Sequence, residues 1–318
     1  MARELTITSP LTFQPIFMER IWGGRRLEEH FGKQLPTGKR IGESWEIVDR
    51  EEAQSVVSGG PLKGKTLHEL WQNHRKEVFG NVAQAPRFPV LIKLLDAEEK
   101  LSLQVHPPAD VAARLGSEPK TEFWYVARAE PGAELYVGLR EKTDVEEFRR
   151  ALDAGTAANY LHAVKVKAGD GMFLPSGRFH AIGGGNLLVE VQQNSDTTYR
   201  VFDWNRLDDS GKARQLHVEQ ALASIDFNDV QPKLVEPNGE TLITNPLFEV
   251  QKWDLKTARE IVPPDQFAII GCLTGSVGCA GSTIGPGQFT LIPASLPDRL
   301  VDQLTSGTSI LRITIPRL

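Results

Sequence analysis

Two cysteines, three methionines and four tyrosines in 318 residues leave little room for several kinds of chemistry. Cys272 and Cys279 have six residues between them, a spacing that fits neither a metal knuckle nor a redox pair, so both are expected as reduced, small apolar residues in a cytoplasmic protein. No apolar run approaches the roughly 20 residues needed to cross a bilayer, so no membrane association is expected. Met1-Ala2-Arg3-Glu4-Leu5 lacks the apolar h-region of a signal peptide. Basic residues are in the minority, with a formal net charge of −5, which argues against nucleic acid as a partner. An anionic small ligand remains compatible with that charge, because a pocket can be basic on an acidic protein.

Glycine and proline, at 28 and 20 residues, are frequent and spread along the chain. Between them lie short apolar runs such as Phe88 to Leu95, Phe123 to Ala127, Asn186 to Val191, Phe267 to Cys272 and Ser309 to Ile315. This texture predicts a mainly β fold of sandwiches or barrels. A few short helices interrupt it. Thr66-Leu67-His68-Glu69 forms a capping box ahead of Leu70, Trp71 and Val78, with Gly80 as the stop. Thr143-Asp144-Val145-Glu146 is a second box, and Asp110 to Leu115 and Val218 to Ile225 are further short helices.

Two segments echo one another. Gly169 and Pro175 bracket five residues, and so do Gly287 and Pro293. Each pair frames a short strand between a turn glycine and a strand-ending proline. Glu236-Pro237-Asn238-Gly239 is a strong turn signal and places a boundary there. The expected domains are therefore 1–235, catalytic and carrying small helical insertions, and 236–318, a smaller β unit.

The chemistry concentrates in the first of these. Gln104 and His106 are two apart in a strand and face the same side, and Pro107-Pro108 ends that strand. Lys120 and Glu122 share a face in the same way. His180 follows the turn at Pro175 and Gly177. An amide, a carboxylate and two imidazoles make a mixed nitrogen and oxygen donor set that suits Zn²⁺, with Mn²⁺, Fe²⁺ or Co²⁺ as alternatives. His30, His68, His74, His162 and His217 lack such company and are read as ordinary core or surface residues. Gly183-Gly184-Gly185 has no Walker lysine and is read as a β-turn rather than a phosphate loop.

Gly169-x5-Pro175-x-Gly177-x2-His180 resembles the second cupin motif. The wider set resembles type I mannose-6-phosphate isomerases in their short bacterial form: Trp22-Gly23-Gly24, Gly42-Glu43-Ser44-Trp45-Glu46, Leu101 to Pro107, Lys120 to Tyr125, Pro175 to Ala181, Glu190-Val191-Gln192 and Ser195 to Arg200. The resemblance implies two cupin (jelly-roll) units and an enzyme interconverting mannose 6-phosphate and fructose 6-phosphate. It implies one Zn²⁺ per chain on Gln104, His106, Glu122 and His180. It implies Arg200 as a catalytic arginine; Glu190 is the favoured carboxylate for the proton transfer, with Lys120 as the alternative. Trp22, Glu43, Lys100, Ser102, Lys120 and Arg200 would line the sugar-phosphate cavity. Asp298 stands in the second echo where His180 stands in the first, so the C-terminal unit is expected without metal. A monomer or homodimer is expected. The competing readings are a non-catalytic sugar-phosphate-binding cupin and a cupin enzyme acting on a related sugar or on dioxygen.

Overall fold

The computed structural model describes residues 7–204, 206–207 and 211–316. The chain is mainly β, as expected, and its large sheets are entirely antiparallel. A six-stranded sheet runs in the order Gly171–Leu174, Glu122–Ala129, Asn186–Gln193, Val90–Ala97, Ile41–Ile47, Ile16–Gly24. A five-stranded sheet packs on one face of it, in the order Leu161–Lys165, Glu134–Leu139, His180–Ile182, Leu103–Val105, Tyr199–Phe202. Leu95, Trp124, Val126 and Leu188 from the first sheet meet Leu135, Val137 and Ile182 from the second in one buried cluster.

The other face of the six-stranded sheet is buried too. Ile92, Leu94, Phe123, Tyr125, Val189 and Val191 join a core that includes Val250, Ile269, Leu291, Leu311 and Ile313 from a second six-stranded sheet. That sheet runs Leu11–Thr12, Phe289–Ile292, Ala268–Thr274, Ser309–Thr314, Glu249–Asp254, Thr241–Thr244. A four-stranded sheet packs on its far side through Val277, Cys279, Ile284 and Val301. Strands buried on both faces have no polar side to alternate with, which is why Val90 to Leu95 is apolar except at one position.

The N-terminal residues Leu11–Thr12 pair with Leu291 and Thr290, so the first ordered strand is an edge of the C-terminal sheet. The echoed segments are equivalent: Gly169 and Gly287 both have positive φ, and the strands Gly171–Leu174 and Phe289–Ile292 both end at the proline.

The helices differ in detail from expectation. The Thr66 box forms in full, with Thr66 Oγ1 accepting from the Glu69 amide and Glu69 accepting from the Thr66 amide. That helix breaks at His74 into Leu67–Asn73 and Arg75–Phe79. The second helix is capped one residue later than the Thr143 box implies. Asp144 has the extended cap conformation, and its Oδ1 accepts from the Glu147 amide at 2.7 Å. A carboxylate there complements the helix dipole better than the hydroxyl one residue earlier.

Four aromatic rings fasten the helical region to both six-stranded sheets. Trp71 stacks edge-on to Phe79 and Phe88 at 4.9 and 5.4 Å, and Phe267 of the C-terminal part lies 5.4 Å from Phe79 and 5.9 Å from Phe88. Phe267→Ala opens a cavity at this junction and is expected to cost about 3–5 kcal/mol. Urea unfolding checks it. Loss below about 1 kcal/mol would mean that the junction contributes little.

Candidate metal centre and cavity

Gln104 sits at the middle of the five-stranded sheet's site-facing row. Its cross-strand neighbours are His180 on one side and Arg200 on the other. His106 lies just past the end of the same strand. Glu122 comes from the opposite sheet, where it pairs in register with Leu174 and Gln192. Alternation along that strand sends Glu122, Trp124 and Val126 inward while Phe123 and Tyr125 enter the other core. The two sheets thus bring His106, Glu122 and His180 together, with one donor atom from each within 4.8 Å of the others.

All three side chains are at most 2% exposed. His106 Nδ1 lies 2.8 Å from the Thr197 carbonyl and His180 Nδ1 2.8 Å from the Arg178 carbonyl. A carbonyl only accepts, so each Nδ1 carries the proton and donates, and each Nε2 presents a lone pair. His106 Nε2 and both Glu122 oxygens make no hydrogen bond. Their nearest polar contacts are His106 Nε2 to Glu122 Oε1 at 3.3 Å, His180 Nε2 to Glu122 Oε2 at 3.9 Å, and the ion pair of Lys120 Nζ with Glu122 Oε1 at 2.8 Å. The Gln104 amide lies 3.4 Å from His180 Nε2, and a half-turn of that amide aims its oxygen at the same point. Lys120 reaches Glu122 Oε1 only; His106 Nε2 and Glu122 Oε2 face the same point with no donor among the described residues, which is costly unless a cation satisfies them, so the donor set fits a divalent metal ion.

Beside this cluster opens a cavity of about 510 Å³. Trp22, Glu43, Ser102, Gln104, Lys120, Glu190 and Arg200 line it, as do Arg20, Lys93, Asp196 and Arg214. Gly42 lets Trp22 reach the wall, since a Cβ on Gly42 would lie 2.6 Å from the indole.

Known proteins are similar to this chain. A model of the phosphomannose isomerase type I catalytic domain matches residues 11–151. A mannose-6-phosphate isomerase of Bacillus subtilis is 40% identical over 277 residues, which span 84% of this chain and 86% of that protein. One of Streptococcus mutans is 38% identical over 301 residues, spanning 91% of this chain and 94% of the relative. The chain belongs to the type I phosphomannose isomerase family. The crystal structure of the mannose 6-phosphate isomerase from Bacillus subtilis has a TM-score of 0.86 and 34% identity, with 96% of this chain and 100% of that one covered. The mainly β, cupin-type fold is therefore shared with that family.

Lys100 does not reach the cavity of this family member. Its ammonium stands 3.6 Å from the Trp204 ring and 5.4 Å from that of Tyr136. Lys93 lines the wall together with Lys120. It is the single charged residue in the apolar run Val90 to Leu95, and alternation points it inward with Leu91 and Leu95. A lysine inside such a run was the available signal. Arg20, two residues before Trp22 on the same strand, carried a similar one.

The charges interlock. Lys93 Nζ lies 3.5 Å from Glu190 Oε1 and 3.8 Å from Glu43 Oε2. Glu43 also accepts from Arg20 Nε at 2.8 Å and from Trp45 Nε1 at 2.6 Å. Burial works to raise the Glu43 carboxyl, but Lys93 and Arg20 prevail and hold it at about 2. Glu190 is pushed above the ordinary carboxyl range by burial and by Glu122, although it accepts from Trp124 Nε1 at 2.9 Å. Burial opposes the charge on Lys120, yet Glu122, Glu190 and Asp196 keep it an ammonium.

Burial holds both imidazoles below their ordinary 6.5, with Lys120 adding to the effect on His106 and His106 on His180, which falls to about 3. The unfolded chain therefore takes up protons below pH 6.5 that the folded metal-free protein refuses. Stability is then lost as the pH falls from 6.5, at up to about 1.4 kcal/mol per pH unit per imidazole. Urea midpoints of chelator-treated protein between pH 7 and 5 measure this, and His180→Gln should make the decline shallower. A flat profile in the unaltered protein would contradict the burial argument.

Proposed function

We propose that the chain is a metal-dependent isomerase that interconverts D-mannose 6-phosphate and D-fructose 6-phosphate. The observation that carries this is the convergence of the buried His106, Glu122 and His180 donor atoms beside a cavity walled by Glu190, Lys120, Lys93 and Arg200. In this reading Gln104, His106, Glu122 and His180 hold one Zn²⁺. When bound, the ion supplies Lewis-acid polarisation of the sugar's carbonyl and hydroxyl oxygens.

The reaction moves a proton between C2 and C1 through an enediolate. Glu190 is the carboxylate proposed for that transfer: it is buried on the cavity wall and biased toward holding a proton, as a group that must accept one and return it requires. Glu43, locked as a carboxylate by Arg20 and Trp45, orients hydroxyls instead. The Lys120 ammonium and the Arg200 guanidinium are donors for negative charge developing on the sugar oxygens. Ser102, whose Oγ accepts from Arg200 Nε at 3.3 Å, shares the anion-facing wall. Residues 1–235 supply all of these groups. Residues 236–318 form the proposed second unit, without metal, where Asp298 replaces the histidine of the first echo. A sugar-phosphate substrate and two buried unpaired thiols suit work in the cytoplasm.

His180→Ala is expected to lose bound zinc and at least about 100-fold in turnover of mannose 6-phosphate. Arg200→Ala is expected to keep the zinc and lose turnover. Elemental analysis and a coupled isomerase assay measure both. Full metal occupancy and full activity in His180→Ala would remove it from the ligand set, and normal turnover in Arg200→Ala would remove Arg200 from the catalytic group.

A further inference from the structure

The arginines on one wall of the cavity are held by a carboxylate that does not itself line it. Asp203 is 5% exposed. Its Oδ1 accepts from Arg206 Nη2 at 2.6 Å and from Arg214 Nη2 at 2.5 Å, and its Oδ2 accepts from Arg214 Nε at 2.6 Å. Arg214 is thus gripped through two donors at once, which fixes the plane of its guanidinium. Nη1 stays free of Asp203, and Arg214 lines the cavity. Arg206 lies outside the lining and braces the arrangement from behind, donating from Nη1 to the Lys100 carbonyl at 2.5 Å.

The neighbouring residue strengthens the brace. Trp204 has φ +55, donates from Nε1 to the Leu101 carbonyl at 2.6 Å, and carries the Lys100 ammonium on its ring. Residues 203, 204 and 206 are therefore tied to residues 100 and 101. Ser102, next in the chain, is the residue that meets Arg200. Lys100 contributes to this clasp through its side chain and its carbonyl together.

The charge here is unbalanced. Arg206 and Arg214 share one carboxylate, and among the described residues Arg200 makes no ion pair. Among the described residues of this group, two positive charges remain in excess. A phosphate monoester carries about −1.5 to −2 at neutral pH and would match them. Three guanidinium groups this close repel one another, and long side chains relieve repulsion by swinging apart. A carboxylate gripping two of them prevents that.

We propose that Asp203 is a positioning residue for phosphate recognition, fixing Arg214 against Arg206 so that the phosphate group of the substrate meets Arg214 and Arg200 in a preset geometry. This rests on the reading of the chain as a sugar-phosphate isomerase.

Asp203→Asn separates positioning from simple charge, because the two act in opposite directions. Removing the carboxylate frees Arg214, which weakens phosphate binding, but it also deletes a nearby negative charge, which strengthens attraction for an anion. Positioning predicts a KM for mannose 6-phosphate raised at least about tenfold, with kcat within about threefold and zinc content unchanged. It also predicts that inorganic phosphate binds the metal-loaded variant more weakly by a similar factor in calorimetry. Asp203→Glu keeps the charge but moves it by one methylene, and its KM should fall between the two. An unchanged or lowered KM in Asp203→Asn overturns the proposal, as does equal loss of kcat with KM unchanged. If Asp203→Asn does not fold, a wild-type KM in Asp203→Glu overturns it instead. Phosphate calorimetry does not depend on turnover. Absence of isomerisation in the unaltered protein would therefore sink the functional reading alone, and the calorimetric comparison would still decide the role of Asp203.

Discussion

Charge balance inside a dry sandwich is the constraint on which this molecule turns. Lys93, Lys120, Glu43, Glu122 and Glu190 are each no more than 8% exposed, and all face the space between two packed sheets. A lone charge there would be ruinous, so each side chain is placed within reach of its opposite. Arg20, Lys93 and Lys120 offset Glu43, Glu190 and Glu122, with Asp196 adding a further negative charge near Lys120. Such pairing holds only if both sheets keep their register, because a one-residue slip would turn Lys93 or Glu190 into the apolar core on the other face.

The balance also changes with depth. The most buried part is neutral to slightly negative and gathers the lone pairs of His106, His180 and Glu122, a setting for a cation. The half-buried rim, where Arg200, Arg206 and Arg214 have one carboxylate among the described residues, is positive as far as those residues go. Under the proposed function, a substrate with an anionic end and an oxygen-rich end would meet a field that orients it, phosphate toward the rim and reacting carbons toward the ion site. In the proposed mechanism no group has to move to create that gradient, which is the sense in which the site is preorganised.

What the sequence made legible was local. Gln104 and His106 share a face through strand alternation alone, and His180 follows a turn that its glycine and proline specify. Glu122 needs the opposing sheet, so spacing could not place it, and the family resemblance did. Lys100 shows the opposite failure. It is adjacent to wall residues in sequence, but it lies ahead of the strand Leu103–Val105, where no alternation governs its direction, and an indole offers its ammonium a closer partner. Lys93 was available as a charge in an apolar run, yet its meaning depends on which face looks inward. The pairing of Leu11–Thr12 with Phe289–Ile292 joins residues some 280 apart and has no local signal at all.

That long-range strand bears on what the C-terminal unit contributes. The sheet carrying Lys93, Glu122 and Glu190 has its back buried against the C-terminal sheet, in a core shared with Phe267, Ile269, Leu291 and Leu311. Remove that backing and Ile92, Leu94, Phe123, Val189 and Val191 would face water. These residues alternate along their strands with Lys93, Glu122 and Glu190, so any twist that re-buried them would misalign the charges on the other face. Among the described residues, the C-terminal unit supplies none to the cavity. Its contribution is to back the sheet whose register the charge balance depends on, so a cavity lined by residues 19–214 still rests on residues beyond 240.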